Sequence, residues 1–270
     1  MSGSRGLHWA VVLALASCAT ADGAGAAAAG RPHVLFMLAD DLGFADVSFH
    51  WQQPSQAQIP TPHLQKLAEE GTVLQHYYVQ PVCSPTRATI LTGRHVIHTG
   101  VYDPMNGASG DLPLQFTLWP GFMKDLGYST HAVGKWHLGY SSWRFSPTER
   151  GFDTYKGYLD GAESYWCHGA CGENGPVDWW DSAARSNSSL PLNPVFNETC
   201  HNGTDAGCPT TTYSATLIGD RAVELIHATP ADPHQRPMFM YRLLSISMAS
   251  LCVTVPLRRC ASVPLCLCVA

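Results

Sequence analysis

The sequence predicts an α/β fold in which a central sheet carries helices on both faces. A near-continuous apolar run such as 32–39 is typical of a strand that is buried on both sides. Amphipathic stretches with helix start and stop signals follow it along the chain. Because strands and helices alternate, we expect a layered sheet that gathers ligands at the carboxyl ends of its strands.

Local patterns define the elements of the first half. After the strand at 32–39, Thr61-Pro62 begins a helix with Thr61 as its N-cap, and Gly71 ends it. The β-branched and aromatic residues of 72–79 predict a second strand. Ser84-Pro85 then begins a helix that runs to about Gly93, with Ser84 as its N-cap.

The second half continues the alternation. Leu118, Phe122 and Leu126 predict one buried helical face, followed by a strand at 128–133. Residues 151–209 are predicted to be rich in loops. A clear helix spans 214–227 and a final strand spans 237–241, which completes the pattern.

Composition excludes several classes of protein. The 270 residues include 16 Lys and Arg against 21 Asp and Glu, for a net charge of −5, and only 14% are charged. Coiled coils and disordered polyelectrolytes carry many more charges. A mildly acidic chain also lacks the basic footprint of a nucleic-acid binder, so we expect no nucleic-acid partner.

The N-terminus resembles a secretory signal peptide over residues 1–21. Arg5 precedes the apolar core Trp9–Ala16, and Ala19–Ala21 forms an A-x-A-like cleavage site. A lipoprotein cleavage box at Leu15–Cys18 is the alternative. Residues 22–30 predict a flexible leader. The apolar core is too short for a membrane span, so we expect a protein of the secretory pathway.

A polar stretch further along agrees with this route. It holds three N-glycosylation sequons, at Asn187, Asn197 and Asn202. Four cysteines flank it and are disulfide candidates, as the pairs Cys167/Cys171 and Cys200/Cys208. A zinc site is the alternative for these cysteines, although their spacing fits it poorly.

Two groups of residues carry the chemistry. Asp40 and Asp41 follow the first buried strand, where a hard cation such as Ca²⁺ would relieve their repulsion, or else they form a solvated turn. Cys83 lies at a helix N-terminus, which favours an anion, and Arg87 lies about one turn into that helix. These features favour a sulfur-based nucleophile, with a buried or disulfide-bonded cysteine as the alternative.

The run from Cys83 to Arg94, which contains Cys83-x-Pro85-x-Arg87, resembles the signature of the sulfatase family. The segments 38–43, 128–139 and 150–155 fit the same family in order. Over roughly residues 31–241 the chain is most similar to the arylsulfatase B-like branch, the N-acetylgalactosamine-4-sulfatases. The resemblance implies an alkaline-phosphatase/sulfatase-like central sheet flanked by helices.

The resemblance also implies roles for the site residues. Asp40, Asp41 and the side chain made from Cys83 would bind Ca²⁺. A formylglycine-generating enzyme would convert Cys83 to formylglycine, whose hydrate would attack the sulfur of a sulfate ester. The resemblance to this branch implies that the ester belongs to a sulfated sugar. Arg87 would stabilise the hydrate and Lys135 would bind a sulfate oxygen. His137 would hold or deprotonate the hydrate.

The resemblance fades after about Tyr241. A further histidine, later calcium ligands, a second lysine and a smaller C-terminal domain are expected of the family and do not follow. Within the tail 242–270, residues 252–270 show neither helical nor strand periodicity beyond a short apolar run. We therefore expect an incomplete catalytic domain with a tail from a frameshift, a retained intron or a mispredicted exon, with low stability and little activity.

Two rival functions fit the same residues. One is a phosphodiesterase or phosphatase of the same fold, although these use Thr or Ser where this chain has Cys83. The other is a catalytically dead secreted glycoprotein that binds its ligand without turnover.

Overall fold

The computed structural model describes residues 31–53, 55, 57, 59–105, 110–169, 177–182, 193–194, 212–229, 236–245 and 265–269. The predicted signal peptide, the leader and the sequons at Asn187, Asn197 and Asn202 lie outside these residues. No helix among the described residues has the length and apolar character needed to cross a membrane.

A sheet of seven strands forms the centre of the described part of the chain, in the order β5-β4-β3-β2-β6-β1-β7. Its strands are β1 (Val34–Asp40), β2 (Ser129–Val133), β3 (Thr154–Gly157), β4 (Trp180–Asp181), β5 (Asn193–Pro194), β6 (Met238–Ser245) and β7 (Leu265–Val269). β4 pairs antiparallel with both of its neighbours, β3 and β5, and the other neighbouring strands pair in parallel. A mainly parallel sheet is the α/β architecture that the alternation predicts.

Five α-helices accompany the sheet in the described residues. They are α1 (Pro62–Glu70), α2 (Cys83–Thr92), α3 (Val96–Thr99), α4 (Trp119–Asp125) and α5 (Ser214–Ala228). Short 3₁₀ helices lie at Phe44–Asp46, Ser48–His50, Trp143–Phe145 and Thr148–Arg150.

Alternate residues of β6 point into two separate cores, as the twofold period of a strand requires. Phe239 and Tyr241 join the core that packs α2 and α4, whereas Met238 and Met240 join the core that packs α5. Helices therefore cover both faces of the sheet, and this prediction is confirmed.

Strand register places the ends of β1 and β2 at the same edge. Both pair in parallel with β6, with Asp40 level with Ser245 and Val133 level with Arg242. Residues that follow β1 and β2 therefore meet at the carboxyl edge. Gly134 makes the turn after β2 at a φ of 103°, where a side chain would be strained.

Three predictions about local structure were wrong. The stretch 72–79 forms no strand, and its Tyr78 is 85% exposed. β-Propensity describes fit to a neighbouring strand, and this stretch pairs with none of the described strands. Helix α2 begins at Cys83 with Val82 as its N-cap, because the Ser84 hydroxyl is used in tertiary contacts instead.

The buried face of α4 also differs from the expected one. Pro120 and Met123 are buried, while Phe122 and Leu126 are more than half exposed. The helix is only two turns long, so its orientation is set by the contacts of Trp119 with Phe36 and Phe239 rather than by its own pattern.

The tail contains one strand that its sequence pattern did not predict. Leu265–Val269 form β7 and pair in parallel with β1, where the sequence pattern showed only a short apolar run. The far edge of β1 offers unpaired backbone groups, and a short apolar segment satisfies them without needing periodicity. β6 also continues beyond Tyr241, to Ser245.

Candidate active site

The carboxyl edge of the sheet brings together four of the predicted site residues. Asp40 is the last residue of β1, and Lys135 follows the turn after β2. Cys83 is the first residue of α2, and Arg87 lies one turn along it. The topology thus brings together residues that are far apart in the sequence. This agrees with the expectation that functional groups gather at the carboxyl ends of the strands.

The contacts of this group centre on one carboxylate. Lys135 Nζ lies 2.7 Å from Asp40 Oδ2, and an Arg87 guanidinium nitrogen lies 3.1 Å from Asp40 Oδ1. Lys135 Nζ also lies 3.0 Å from Cys83 Sγ, which itself lies 3.6 Å from Asp40 Oδ1. Arg87 donates a second bond to the Lys135 carbonyl at 3.1 Å, so each member touches at least two others.

Electrostatics favour the ionised forms of Asp40 and Arg87. Burial raises the pKa of the Asp40 carboxyl, but the positive charges of Arg87 and Lys135 outweigh it, and the pKa falls below its usual range. Burial is the largest effect on the pKa of Arg87 and lowers it, but Asp40 together with Tyr241, Tyr158 and Cys83 outweighs burial and raises the pKa. Two buried cations share one partly buried carboxylate, which leaves positive charge beside Cys83 for an anion.

His137 lies next to the cluster in a sparsely populated backbone conformation, with a φ of 54°. Its Nε2 lies 2.9 Å from the Met105 carbonyl oxygen. Burial, followed by the positive charges of Lys135 and Arg87, lowers the pKa of His137 to about 4. The imidazole is therefore neutral at neutral pH.

The three predicted metal ligands are adjacent. Asp40, Asp41 and Cys83 each offer one ligand atom, and these atoms lie within 4.8 Å of one another. Asp41 is exposed and has a φ of 57°, which the tight turn after β1 imposes. Two carboxylates at one point fit a hard cation, which prefers oxygen ligands.

A pocket opens between the end of β1 and the start of α2. Its lining comprises Leu38, Asp40, Asp41, Gln80, Pro81, Val82, Cys83, Thr86 and Arg87. Among the described residues Cys83 is a free cysteine, so its predicted alternative as a disulfide half is wrong. Cys167 is disulfide-bonded, which agrees with its prediction as a disulfide candidate and removes it as a zinc ligand.

Sequence reasoning missed two residues that hold this site together. Ser84 donates to the His137 carbonyl oxygen, and Met105 supplies the carbonyl that faces the His137 ring. A serine directly after the nucleophile candidate suggested only a helix cap. The contact of Met105 is made by its backbone carbonyl, so the type of side chain at this position does not predict it.

Comparison with known protein families decides the assignment. The family model described as Sulfatase matches residues 32–246, which is most of the chain. The chain belongs to the sulfatase family. The match reaches a few residues beyond Tyr241, where the sequence resemblance fades.

Several sulfatases resemble the chain. Mouse arylsulfatase J is 46% identical over 154 residues, covering 56% of this chain and 25% of the relative. The arylsulfatase of Klebsiella aerogenes is 31% identical over 241 residues, covering 84% and 45%. Human N-acetylgalactosamine-6-sulfatase is 36% identical over 187 residues, covering 65% and 31%. This sulfatase chain thus spans less than half the length of these relatives.

Solved structures share the fold. Ps i-CgsB in complex with k-i-k-neocarrahexaose superposes with a TM-score of 0.58 at 25% identity, covering 79% of this chain and 44% of that one. The PsFucS1 sulfatase from Pseudoalteromonas sp. gives a TM-score of 0.61 at 23% identity, covering 79% and 43%. The predicted sulfatase-like α/β fold is therefore confirmed.

Proposed function

We propose that this chain carries the catalytic core of a sulfuric ester hydrolase of the arylsulfatase type. The observation that carries the proposal is the contact of Lys135 Nζ with Cys83 Sγ at 3.0 Å, beside the ionised Asp40. This contact places a buried cation against the nucleophile position of the family motif. Family membership favours this reading over the phosphodiesterase or phosphatase alternative.

Lys135, Arg87 and His137 have separate roles around the sulfate group of the substrate. Lys135 binds a sulfate oxygen and offsets the charge that develops when the S–O bond breaks. Arg87, fully buried on α2, adds a fixed positive charge and stabilises the side chain at position 83. His137, neutral because of its lowered pKa, accepts a hydrogen bond or a proton from that side chain.

Conversion of Cys83 to formylglycine is part of the proposal. Once formed, the hydrated aldehyde would supply one hydroxyl that displaces the alcohol of the ester from sulfur. Its second hydroxyl would then lose its proton and expel sulfate, which regenerates the aldehyde. The free state of Cys83 and its place in Cys83-x-Pro85-x-Arg87 support access by a formylglycine-generating enzyme. That enzyme is the partner we propose for the unfolded or newly made chain.

Calcium is the proposed metal, with Asp40, Asp41 and the converted residue 83 as its ligands. The two carboxylates suit a hard cation, whereas a thiol does not, so conversion of Cys83 would complete the oxygen set. Calcium held by these residues would supply positive charge to polarise a sulfate oxygen. Lys135 and Arg87 hold Asp40 in place for this role.

Sulfated carbohydrate is the proposed substrate class. Human N-acetylgalactosamine-6-sulfatase and the oligosaccharide complex of Ps i-CgsB support it by similarity. Because of the arylsulfatase B-like resemblance, an N-acetylgalactosamine 4-sulfate is the first sugar to assay. The 6-sulfate is the alternative substrate. The signal peptide and the sequons at Asn187, Asn197 and Asn202 support a glycoprotein of the secretory pathway, extracellular or lysosomal.

A direct test co-expresses the full chain with a formylglycine-generating enzyme. Mass measurement of the Cys83 peptide reports conversion, and an aryl sulfate and an aryl phosphate report turnover. Because we expect little activity from this chain, we expect weak turnover that depends on calcium, is confined to the sulfate and is lost in Cys83→Ala. Turnover of the phosphate would favour the phosphatase alternative. Calcium-dependent binding of a sulfated sugar without turnover would favour the binding module.

A further inference from the structure

Ser84 connects three segments of the site through its hydroxyl group. The side chain is 0% exposed, and its Oγ donates to the His137 carbonyl oxygen at 2.9 Å. The same oxygen accepts the Met105 backbone N–H at 3.0 Å. Met105 in turn offers its carbonyl oxygen to His137 Nε2 at 2.9 Å, which closes a ring of three contacts.

The His137 ring is confined on a second side. A side chain at Gly161 would place its Cβ 2.6 Å from His137 Nε2 and 2.7 Å from Cε1, so glycine allows the chain to pass close to the ring. The backbone of His137 has a φ of 54°, a conformation that costs energy for a residue with a side chain. Tertiary contacts must maintain it, and the bond from Ser84 to the His137 carbonyl is one of them.

The contact with Met105 determines where the ring carries its proton. A carbonyl oxygen only accepts, so Nε2 must bear the hydrogen in this contact. In the neutral ring Nδ1 is then the acceptor. Nδ1 is buried and has no hydrogen-bond partner among the described residues.

We propose that Ser84 is a positioning residue that fixes His137 as the Nε2–H tautomer by holding the Met105 backbone against it. His137 Nδ1 is consequently the ring's acceptor. The part of this inference that concerns catalysis rests on the proposed function, because the acceptor atom matters only if His137 serves the reaction. The tautomer itself does not depend on any activity.

The test reads the tautomer by NMR in the full chain labelled with ¹⁵N-histidine, at neutral pH. Loss of signals in His137→Gln assigns the ring. We expect the Nε2–H pattern in the wild type and in Ser48→Ala, which removes another buried hydroxyl that accepts a backbone N–H. Ser84→Ala should give averaged ring shifts from both tautomers, and Ser84→Thr should restore the single pattern.

Two results would overturn the proposal: an Nδ1–H pattern in the wild type, or an unchanged Nε2–H pattern in folded Ser84→Ala. Circular dichroism and the other histidine signals report whether that variant folds. If it does not, Gly161→Ala takes its place, because its methyl group must displace the ring from Met105. Retention of the wild-type pattern in Gly161→Ala would then overturn the proposed restraint.

A kinetic comparison separates this inference from the proposed function. Formylglycine content is first matched by mass, because Ser84 lies inside the motif that is converted. We expect kcat of Ser84→Ala to fall about tenfold with KM within about twofold, as for a weakened proton acceptor. If the wild type shows no turnover, the proposed function fails while the tautomer measurement still decides the role of Ser84.

Discussion

Asp40 and Lys135 form a partly buried ion pair of 2.7 Å although they lie 95 positions apart in the sequence. The Asp40 side chain is 15% exposed and that of Lys135 is 4% exposed. The other oxygen of the same carboxylate holds Arg87 at 3.1 Å. A single carboxylate therefore compensates two buried cations, and both the stability and the chemistry of the site depend on it.

The first prediction compares the two neighbouring aspartates in calcium-free buffer. Asp40→Asn leaves Lys135 and Arg87 buried without a counter-charge, so the free energy of unfolding should fall by about 3–5 kcal/mol. Asp41→Asn should change it by no more than about 0.5 kcal/mol, because Asp41 is exposed. Asparagine also tolerates the positive φ of that position. Urea denaturation of the full chain measures both.

Equal losses in the two variants would contradict this assignment. They would mean that Asp41 contributes to stability despite its exposure, or that Lys135 and Arg87 find other partners when Asp40 is replaced by a neutral residue.

The second prediction concerns calcium. If Asp40 and Asp41 bind the ion, saturating Ca²⁺ stabilises the converted wild type by about 2.7 kcal/mol at a concentration 100 times the Kd. Asp41→Asn should lose most of this gain while keeping its calcium-free stability. Melting temperatures with and without Ca²⁺ measure the effect. A calcium response retained in Asp41→Asn would remove Asp41 from the ligand set.

The parts of the molecule that could be predicted are those encoded by local patterns. β1, β2 and α5 were expected almost at their observed bounds, since apolar runs and helical periodicity define them. The meeting of Asp40 with Lys135 followed from the rule that ligands gather where parallel strands end. The tight turn at Asp41 was also foreseeable from its position after a buried strand.

The missed parts depend on neighbours that are distant in sequence. Residues 72–79 have the composition of a strand but pair with none of the described strands, whereas 265–269 form a strand because β1 has a free edge. Ser84 has the identity of a helix cap, yet its hydroxyl contacts His137 and Met105. Side-chain type alone does not distinguish a local hydrogen bond from a tertiary one.

The third prediction concerns pH and His131 on β2. Burial, against a smaller opposing effect of Asp153, lowers the pKa of His131 to about 4. In the unfolded chain the ring binds its proton near pH 6.5, so between pH 6.5 and 4 the unfolded state holds more protons. The free energy of unfolding should therefore fall as the pH drops through this window.

The variant His131→Asn should reduce that slope by up to about 1.4 kcal/mol per pH unit, the contribution of one proton. Thr154→Val is the matched control, because it removes the hydroxyl that lies 2.7 Å from His131 Nδ1 and leaves the titrating ring in place. In Thr154→Val the free energy of unfolding should shift at all pH values, while its dependence on pH stays that of the wild type. Urea denaturation at several pH values measures both, and an unchanged slope in His131→Asn would refute the assignment.

The fourth prediction concerns the turn that delivers Lys135 to Asp40. Gly134 has a φ of 103°, and a Cβ there would lie 2.7 Å from the Leu243 carbonyl oxygen on β6. Gly93, at the end of α2, has a φ of 65° and nothing within 4 Å of its Cβ position. Gly93→Ala should therefore cost only the backbone strain, about 1–2 kcal/mol. Gly134→Ala should add about 1–3 kcal/mol for the steric conflict.

Urea denaturation of both variants gives the difference. Gly134→Ala should also weaken the Asp40–Lys135 pair, because relief of the conflict moves the residue that precedes Lys135. In that background Asp40→Asn should cost less than in the wild type, which a double-mutant cycle measures. Equal losses of unfolding free energy in the two glycine variants would mean that β6 shifts away from the added methyl group at no cost in stability. The close approach of Leu243 to this turn would then not hold Lys135 in place.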